Sequence, residues 1–289
     1  MSFSAYLKGG CDMELVYSVF SALPFVWADY KFMINAFIAI VLIAPLMGIL
    51  GTMAVNNKMA FFSDALGHSA FTGIALGVVL GIENEFISLV AFGVFIALLI
   101  TKVKNKGNTS ADTVISVFSS ASIAVGLLVL SYGGSFTKYS SYLVGDILSV
   151  TKAEIFCLLI TLVVVVVIWC LIYNKLLIIA VNKELAASRG IKTTLYENIF
   201  VVVVAVVVML SIKWVGILLI NSLLILPAAA SRNITKNSRQ YMAGSVLISL
   251  LGSVTGLVLS FYMDTSAGAT VVSALTIIFF VTYIISKKK

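Results

Sequence analysis

Long apolar runs recur along the chain, and this recurrence constrains the fold more than any other feature. Each run is close to the roughly 20 residues that a helix needs to cross a bilayer. With 61% hydrophobic and only 11% charged residues, the composition excludes a soluble globular domain. The sequence predicts an all-α, polytopic membrane helix bundle, with runs at 31–54, 60–81, 85–104, 111–132, 153–174, 196–213, 214–231, 240–262 and 267–286.

The number of spans depends on the sixth and seventh runs, which are short and meet at Lys213–Trp214. One of them is expected to be a half-helix or a re-entrant segment, which gives eight to nine transmembrane helices. Residues 1–30 are expected to form an extracytoplasmic or interfacial segment with a short leading helix. They lack the basic region and the small-residue cleavage site of a signal peptide. Residues 31–289 then form the transmembrane domain.

The distribution of lysine and arginine predicts the orientation. Most of the 19 basic residues fall between alternate runs, on the side that includes Lys102–Lys106, the 180–195 loop and the C-terminus. Cytoplasmic loops retain such residues, so the N-terminus is expected outside and the C-terminus inside a bacterial plasma membrane. The net charge of +7 is explained by anionic lipid at the inner leaflet, and nucleic-acid binding is not expected.

Two ionisable residues interrupt the second run. Asp64 and His68 are four positions apart, so both project from one face of a helix. Ionisable groups at membrane depth are costly and usually line a substrate path or meet a partner. Carboxylate and imidazole are ligands that Zn²⁺, Mn²⁺ and Fe²⁺ accept, so the pair is a candidate metal site. The alternatives are a neutral imidazole bonded within the bundle and a carboxylate neutralised by Lys58.

Small residues recur at every fourth position of the same run. They predict a groove into which a neighbouring helix packs, beside the ionisable face. These predicted packing residues are Ser69, Gly73, Gly77 and Gly81.

Three further residues are weaker candidates for the metal path. Asn221 and Ser222 supply oxygen atoms within the seventh run, although hydrogen bonding to another helix is the commoner role of such residues. Met59 is a candidate for an adaptable apolar gate, although methionine in membrane helices usually serves packing.

The cytoplasmic loop at 180–195 differs from the other loops. A helix is predicted from Lys183 to Arg189, with Gly190 as its C-terminal stop. A helix on the cytoplasmic face suits docking onto a soluble partner, and a structured loop at the lipid headgroups is the alternative.

Six segments in this order resemble the membrane permeases of ABC importers for zinc, manganese and iron(II). The resemblance covers most of the chain from about residue 31. The segments are FMINAFIAIVLIAPLMGILGTMAVNNKMAFFSDALGHSAFTGIALG, SADTVISVFSSASIAVGLLVLS, YLVGDILSV, NKELAASRGI, WVGILLINSLLILPAAASR and DTSAGATVV.

The resemblance implies an assembly in which this chain is the channel. A second copy of the permease, two cytoplasmic ATPase subunits and an extracytoplasmic solute-binding protein for the metal are its expected partners. Asp64 and His68 match the acidic residue and the histidine associated with the metal path of that family. No permanently bound cofactor is expected, and ATP would bind the partner subunits. The residues expected to dock the ATPase are Lys183, Glu184, Leu185, Ala186, Ala187, Arg189 and Gly190.

Two other classes of protein compete with this interpretation. In a proton- or ion-coupled secondary metal transporter, Asp64 and His68 would relay protons, but the sequence lacks convincing inverted repeats. A membrane-embedded hydrolase would need an H-E-x-x-H or G-x-S-x-G motif, and neither occurs. A phosphate-binding G-x-x-x-x-G-K-[ST] loop is also missing, so the chain is not expected to be an enzyme.

Overall fold

The computed structural model describes residues 13–21, 24–82, 84–107, 109–132 and 147–287, and every regular element in these ranges is helical. Residues 1–12 of the N-terminal segment, and 142–146 of the YLVGDILSV segment, lie outside them. The helices are α1 Met13–Ser21, α2 Lys31–Asn56, α3 Phe62–Val79, α4 Glu85–Lys106, α5 Ala111–Tyr132, α6 Lys152–Val181, α7 Lys183–Ser188, α8 Thr193–Val215, α9 Ile217–Ile234, α10 Ser238–Met263 and α11 Ala267–Lys287.

Eight helices in the described part of the chain are long and apolar enough to cross a membrane, which confirms the predicted helical membrane bundle. They are α2, α4, α5, α6, α8, α9, α10 and α11. Both α8 and α9 belong to this set, so each is long and apolar enough for a full span, and the count of eight agrees with the eight to nine predicted. The long helix outside the set is α3, because Asp64, His68 and several small polar residues lower its hydropathy.

The N-terminal segment packs on the bundle. Its helix α1 is joined to α2 by a hydrogen bond of 2.8 Å from the Tyr17 hydroxyl to Asn35 Oδ1. A 3₁₀ turn, Val26–Asp29, then buries Trp27, whose ring stacks on Phe37 at 5.3 Å between centroids. The short leading helix is therefore present and held by polar and aromatic contacts.

Helix α2 lies at the centre of the bundle and contacts α6, α9 and α10. On α10, Ser245 and Ser249 donate 2.8 Å hydrogen bonds to the carbonyls of Gly48 and Ala44. Gly51 faces the carbonyl oxygen of Leu224 on α9. Such close backbone approach and hydrogen bonding hold membrane helices together where lipid offers no hydrophobic driving force.

Helix α3 packs between α4 and α5. A Cβ placed on Gly73 would lie within 3.2 Å of Ser88 and Leu89, and Gly77 faces Ser88 as well. On the other side, Ser69 Oγ donates to Ser122 Oγ of α5 at 3.2 Å. Gly73 and Gly77 thus pack against α4, whereas Ser69 contacts α5, so the three residues serve helix packing on two sides of α3 and do not line one groove.

The prediction is wrong for Gly81, which lies beyond the end of α3. It adopts a φ of 68°, and no atom approaches within 4 Å of a Cβ built there. The amide of Ile82 bonds to the carbonyl of Gly77, and that of Gly81 to Val78, which is the pattern of a glycine that terminates a helix. Gly81 is thus a helix stop rather than a packing residue.

We expect Gly51→Ala to lower the free energy of unfolding by about 3 kcal/mol, since an added methyl group would collide with backbone that cannot rotate away. Gly268→Ala is the matched control, because space is open there and alanine favours a helix by about 0.5–1 kcal/mol. Denaturant unfolding in detergent measures both. Equal midpoints for the two variants would contradict the observed α2–α9 contact.

Candidate functional site

A sharp turn between α2 and α3 brings Asp64 into the bundle. Lys58 adopts the left-handed conformation with a φ of 55°, and the amide of Met59 bonds to the carbonyl of Ala54. The chain reverses there, and α3 starts at Phe62, so Asp64 lies in its first turn. A carboxylate in this position is favoured by the unpaired amides and the positive end of the helix dipole.

Asp64 and His68 face each other as their spacing predicts. His68 Nε2 lies 3.5 Å from Asp64 Oδ2, and the two side chains are 26% and 42% exposed, respectively. Two ligands at about 2.1 Å from one tetrahedral ion lie about 3.4 Å apart. The observed separation therefore suits one ion shared by the imidazole and the carboxylate.

Asn221 of α9 joins this pair. Its Nδ2 donates a 3.0 Å hydrogen bond to Asp64 Oδ1. The structure thus brings Asn221 to the candidate metal pair and gives Asp64 a partner on a second helix. Lys58, the alternative partner of Asp64, is exposed at the turn. We call Asp64, His68 and Asn221 the polar triad.

Two atoms of the polar triad, His68 Nδ1 and Asn221 Oδ1, are buried and have no hydrogen-bond partner among the residues that the structure describes. Buried polar atoms are nearly always paired, and an exception calls for an explanation such as an ion, a water molecule or a functional role. The polar triad therefore offers unused ligand atoms as well as a shared pair. Within the described residues no group of three or more His, Cys, Asp and Glu side chains could hold a metal ion. The arrangement is accordingly a sparse site, not a closed structural cage.

The other two candidates for the metal path do not reach the polar triad by hydrogen bonding. Ser222 Oγ donates to the carbonyl of Leu218 on its own helix at 2.9 Å. Met59 is buried, and its sulfur accepts a 3.6 Å contact from Lys104 Nζ of α4. Met59 thus packs in the turn before α3 and contacts Lys104 of α4.

Two glycines position the polar triad, and neither was predicted from the sequence. Gly216 has a φ of 85° and a ψ of 160°, which only glycine adopts readily, and it separates α8 from α9. Gly67 then admits Ile217, since a Cβ at Gly67 would lie 2.7 Å from Ile217 Cγ2. Asn221 follows one turn later. Gly216 has a signal in the sequence, because it lies directly before an apolar run and two residues after the predicted junction at Lys213–Trp214.

The depth of the polar triad follows from α9. Asn221 lies 13 positions before Ile234, where α9 ends beside the basic residue Arg232. At about 1.5 Å per residue this is about 20 Å along the helix. The triad is therefore well removed from the basic end of α9, although Asp64 follows Lys58 closely in sequence.

The loop at 180–195 contains the predicted helix, α7. Gly190 has a φ of 75°, and the amides of Ile191 and Gly190 bond to the carbonyls of Ala186 and Ala187. This pair of bonds is the Schellman motif of a helix end, so the prediction that Gly190 stops the helix is confirmed. Asn182 begins the helix, accepting a 2.9 Å bond from the Leu185 amide.

Five of the seven predicted docking residues are exposed on α7 and on the two residues that follow it. We call this surface the docking face: Glu184, Leu185, Ala187, Arg189 and Gly190. Ala186 is fully buried. Lys183 directs its ammonium group to Glu197 Oε2 of α8 at 2.7 Å. The prediction that Ala186 faces a partner is therefore wrong, whereas Lys183, whose side chain is 42% exposed, is tied to its own chain and still accessible.

The comparison with known families decides the classification of the chain. Residues 29–286 match the model of the "ABC 3 transport family". The chain belongs to this family. Eight apolar helices together with this membership make it a multi-pass protein of the bacterial plasma membrane.

Named relatives and a solved structure extend the likeness. The chain is 31% identical to the high-affinity zinc uptake system membrane protein ZnuB of Haemophilus influenzae, over 77% of this chain and 85% of the relative. It is 28% identical to the manganese import system permease protein ScaB of Streptococcus gordonii, over 90% and 94%. A solved structure, PsaBC from Streptococcus pneumoniae in complex with Fab, aligns with a TM-score of 0.76 at 25% identity, covering 88% and 92% of the two chains.

Proposed function

We propose that this ABC 3 protein is the permease subunit of an ATP-driven importer that moves a divalent transition-metal ion into the cytoplasm. The polar triad carries the proposal, because it pairs a carboxylate with an imidazole at the separation that one ion requires. Relatives named for zinc uptake and for manganese import support the choice of cargo. Manganese and zinc are the favoured ions, and iron(II) accepts the same ligands.

The sparseness of the polar triad is suited to transport. A carrier must bind its ion strongly enough to select it and weakly enough to release it. Three side chains, of which one is a neutral amide, leave room for water or further ligands around the ion. A closed four-cysteine cage would hold the ion instead.

A second copy of the permease would complete the site. The Asp64 side chain is 42% exposed in the single chain, and an exposed carboxylate facing lipid would be costly. Covering it with a second copy would shelter the charge and double the number of ligands. We therefore propose a homodimer with the polar triads beside the shared surface.

ATP hydrolysis is assigned to partner subunits. The chain has no phosphate-binding loop, and the docking face presents one acidic, one basic, one large apolar and two small residues to the cytoplasmic side. Helix α6, with 30 residues, is about 45 Å long, so it extends beyond a hydrocarbon layer of about 30 Å before α7 begins. We propose that two ATPase subunits bind the two docking faces, and that an extracytoplasmic binding protein delivers the metal.

Metal-stimulated ATP turnover tests the class and the cargo together. The complex of permease, ATPase and binding protein is reconstituted in liposomes and supplied with a panel of divalent ions. With Mg²⁺ present throughout to support ATP hydrolysis, we expect added Mn²⁺ or Zn²⁺ to stimulate turnover and added Ca²⁺ not to, since hard cations prefer oxygen ligands to imidazole. Metal accumulation that follows a proton gradient and ignores ATP would support an ion-coupled transporter instead and refute the proposal.

Asn221→Ala is expected to reduce metal accumulation by about 10-fold, because loss of a partner that orients a ligand typically costs 10–100-fold. The adjacent Ser222→Ala is the matched control, since Ser222 bonds only to its own helix and should leave accumulation unchanged. Uptake of the radioactive ion into liposomes measures both. An equal loss in the two variants would indicate a general defect in α9 and count against the role of Asn221.

A further inference from the structure

A closed polar cluster fastens α7 to the transmembrane bundle. Lys183 Nζ donates to Glu197 Oε1 and Oε2 at 2.9 and 2.7 Å and to Asn105 Oδ1 at 3.0 Å. Asn105 Nδ2 completes the triangle with a 2.8 Å bond to Glu197 Oε2. Three helices, α7, α8 and the end of α4, therefore meet at one carboxylate, whose side chain is only 12% exposed.

The next residue of α4 continues the contact toward α3. Lys104 precedes Asn105, and its ammonium group reaches Met59 Sδ at 3.6 Å. Met59 is 1% exposed, and its carbonyl accepts the amide of Phe62, the first residue of α3. Asp64 stands two residues further on. Hydrogen bonds, the 3.6 Å contact of Lys104 with Met59 and two short stretches of backbone thus connect α7 to the polar triad.

We infer that Lys183, Glu197, Asn105, Lys104 and Met59 form a coupling link that transmits movement of α7 to the start of α3. The inference rests on the proposed function and concerns how ATP hydrolysis would drive the cargo. When a bound ATPase displaces α7, the charged triangle carries the end of α4 with it. Lys104 then shifts the turn at Met59, which moves Asp64 relative to Asn221 on α9.

The chemistry of the cluster favours transmission over docking. A carboxylate that accepts from both an ammonium group and an amide is a directional, charge-assisted contact. The Glu197 carboxylate is 12% exposed and so partly shielded from water and salt, whereas the Lys183 side chain is 42% exposed. The groups of the triangle are satisfied by one another, so they hold α7 and leave the docking face to meet the partner. These residues are positioning residues, since none of them contacts the proposed ion.

Glu197→Gln tests the coupling link with little change in shape. In the reconstituted complex we expect the number of metal ions accumulated per ATP hydrolysed to fall by about 10-fold, as expected for losing a coupling of ordinary size. Association of the ATPase in a pull-down, and metal binding by the detergent-solubilised permease, should be unchanged. Lys106→Gln is the control, because Lys106 is an exposed charge on the same turn of α4.

Two further variants guard against misfolding. Exchanging the charges in Lys183→Glu with Glu197→Lys should recover part of the lost ratio. Met59→Leu, at the other end of the link, removes the sulfur but keeps the volume and should lower the ratio by about 3-fold. Unchanged ratios in Glu197→Gln and Met59→Leu would overturn the coupling link alone. Loss of the pull-down in Glu197→Gln would overturn it in favour of docking, and a wild-type complex that accumulates no metal would overturn the proposed function with it.

Discussion

Asp64→Asn and His68→Ala are each expected to reduce ATP-dependent accumulation of Mn²⁺ or Zn²⁺ by at least about 100-fold, because even a residue that only orients a ligand costs about 10–100-fold. Asparagine keeps the shape of Asp64 and its position beside Asn221, but it removes the negative charge that binds a divalent ion. Ala at position 68 removes the imidazole whose Nε2 faces Asp64 at 3.5 Å. Uptake of the radioactive ion into liposomes is the measurement.

The control for these two variants is assembly. Both should purify with the ATPase and with the oligomeric state of the wild type, since packing of α3 depends on Ser69, Gly73 and Gly77 on its other faces. Wild-type accumulation in both variants would remove the pair from the metal path. Accumulation lost in one variant and kept in the other would also contradict a shared ion.

Gly190→Val is expected to weaken association of the ATPase by about 10-fold, since a left-handed backbone costs a residue with a side chain about 1–2 kcal/mol and a branched one more. The φ of 75° at this position ends α7 and sets the docking face. Pull-down of the ATPase at graded concentrations measures the effect. Glu184→Lys, which reverses an exposed charge on the same face, should weaken association as well.

Gly190→Asn is the matched control, because asparagine tolerates the left-handed conformation and is found at helix stops. It should retain most of the association while changing the same position. If Val and Asn lower the affinity equally, the backbone conformation is not what matters. If neither Gly190→Val nor Glu184→Lys changes the affinity, the ATPase binds elsewhere.

The fold was largely predictable because its determinants are local. Apolar runs of spanning length and glycines at helix ends can be seen in a single sequence, so most helices and the stop at Gly190 were predicted within a few residues, although α6 continues seven residues beyond its predicted end at 174, to Val181. The exceptions have a physical cause. Gly81 shares the spacing of Gly73 and Gly77, and only the backbone shows that it lies past the end of α3.

The site was predictable only in part. Asp64 and His68 meet because they are one turn apart on a single helix, and this spacing is fixed by local geometry. Asn221 reaches Asp64 from a position 157 residues away, and Glu197 reaches Lys183 from another helix. Contacts of this kind depend on how the helices pack, which the break at Gly216 and the small surface of Gly67 determine. Such packing cannot be read from a single sequence by spacing and composition.

Locating the ion directly tests the central claim. Crystals of the complex loaded with Mn²⁺ would be measured by anomalous scattering, with Asp64→Asn as the reference. We expect a peak about 2.0–2.2 Å from an Asp64 oxygen and the His68 nitrogen, the usual length of such metal–ligand bonds, and no peak in the variant. A transport-competent complex whose ion lies away from these two side chains, or that keeps its peak in Asp64→Asn, would contradict the account.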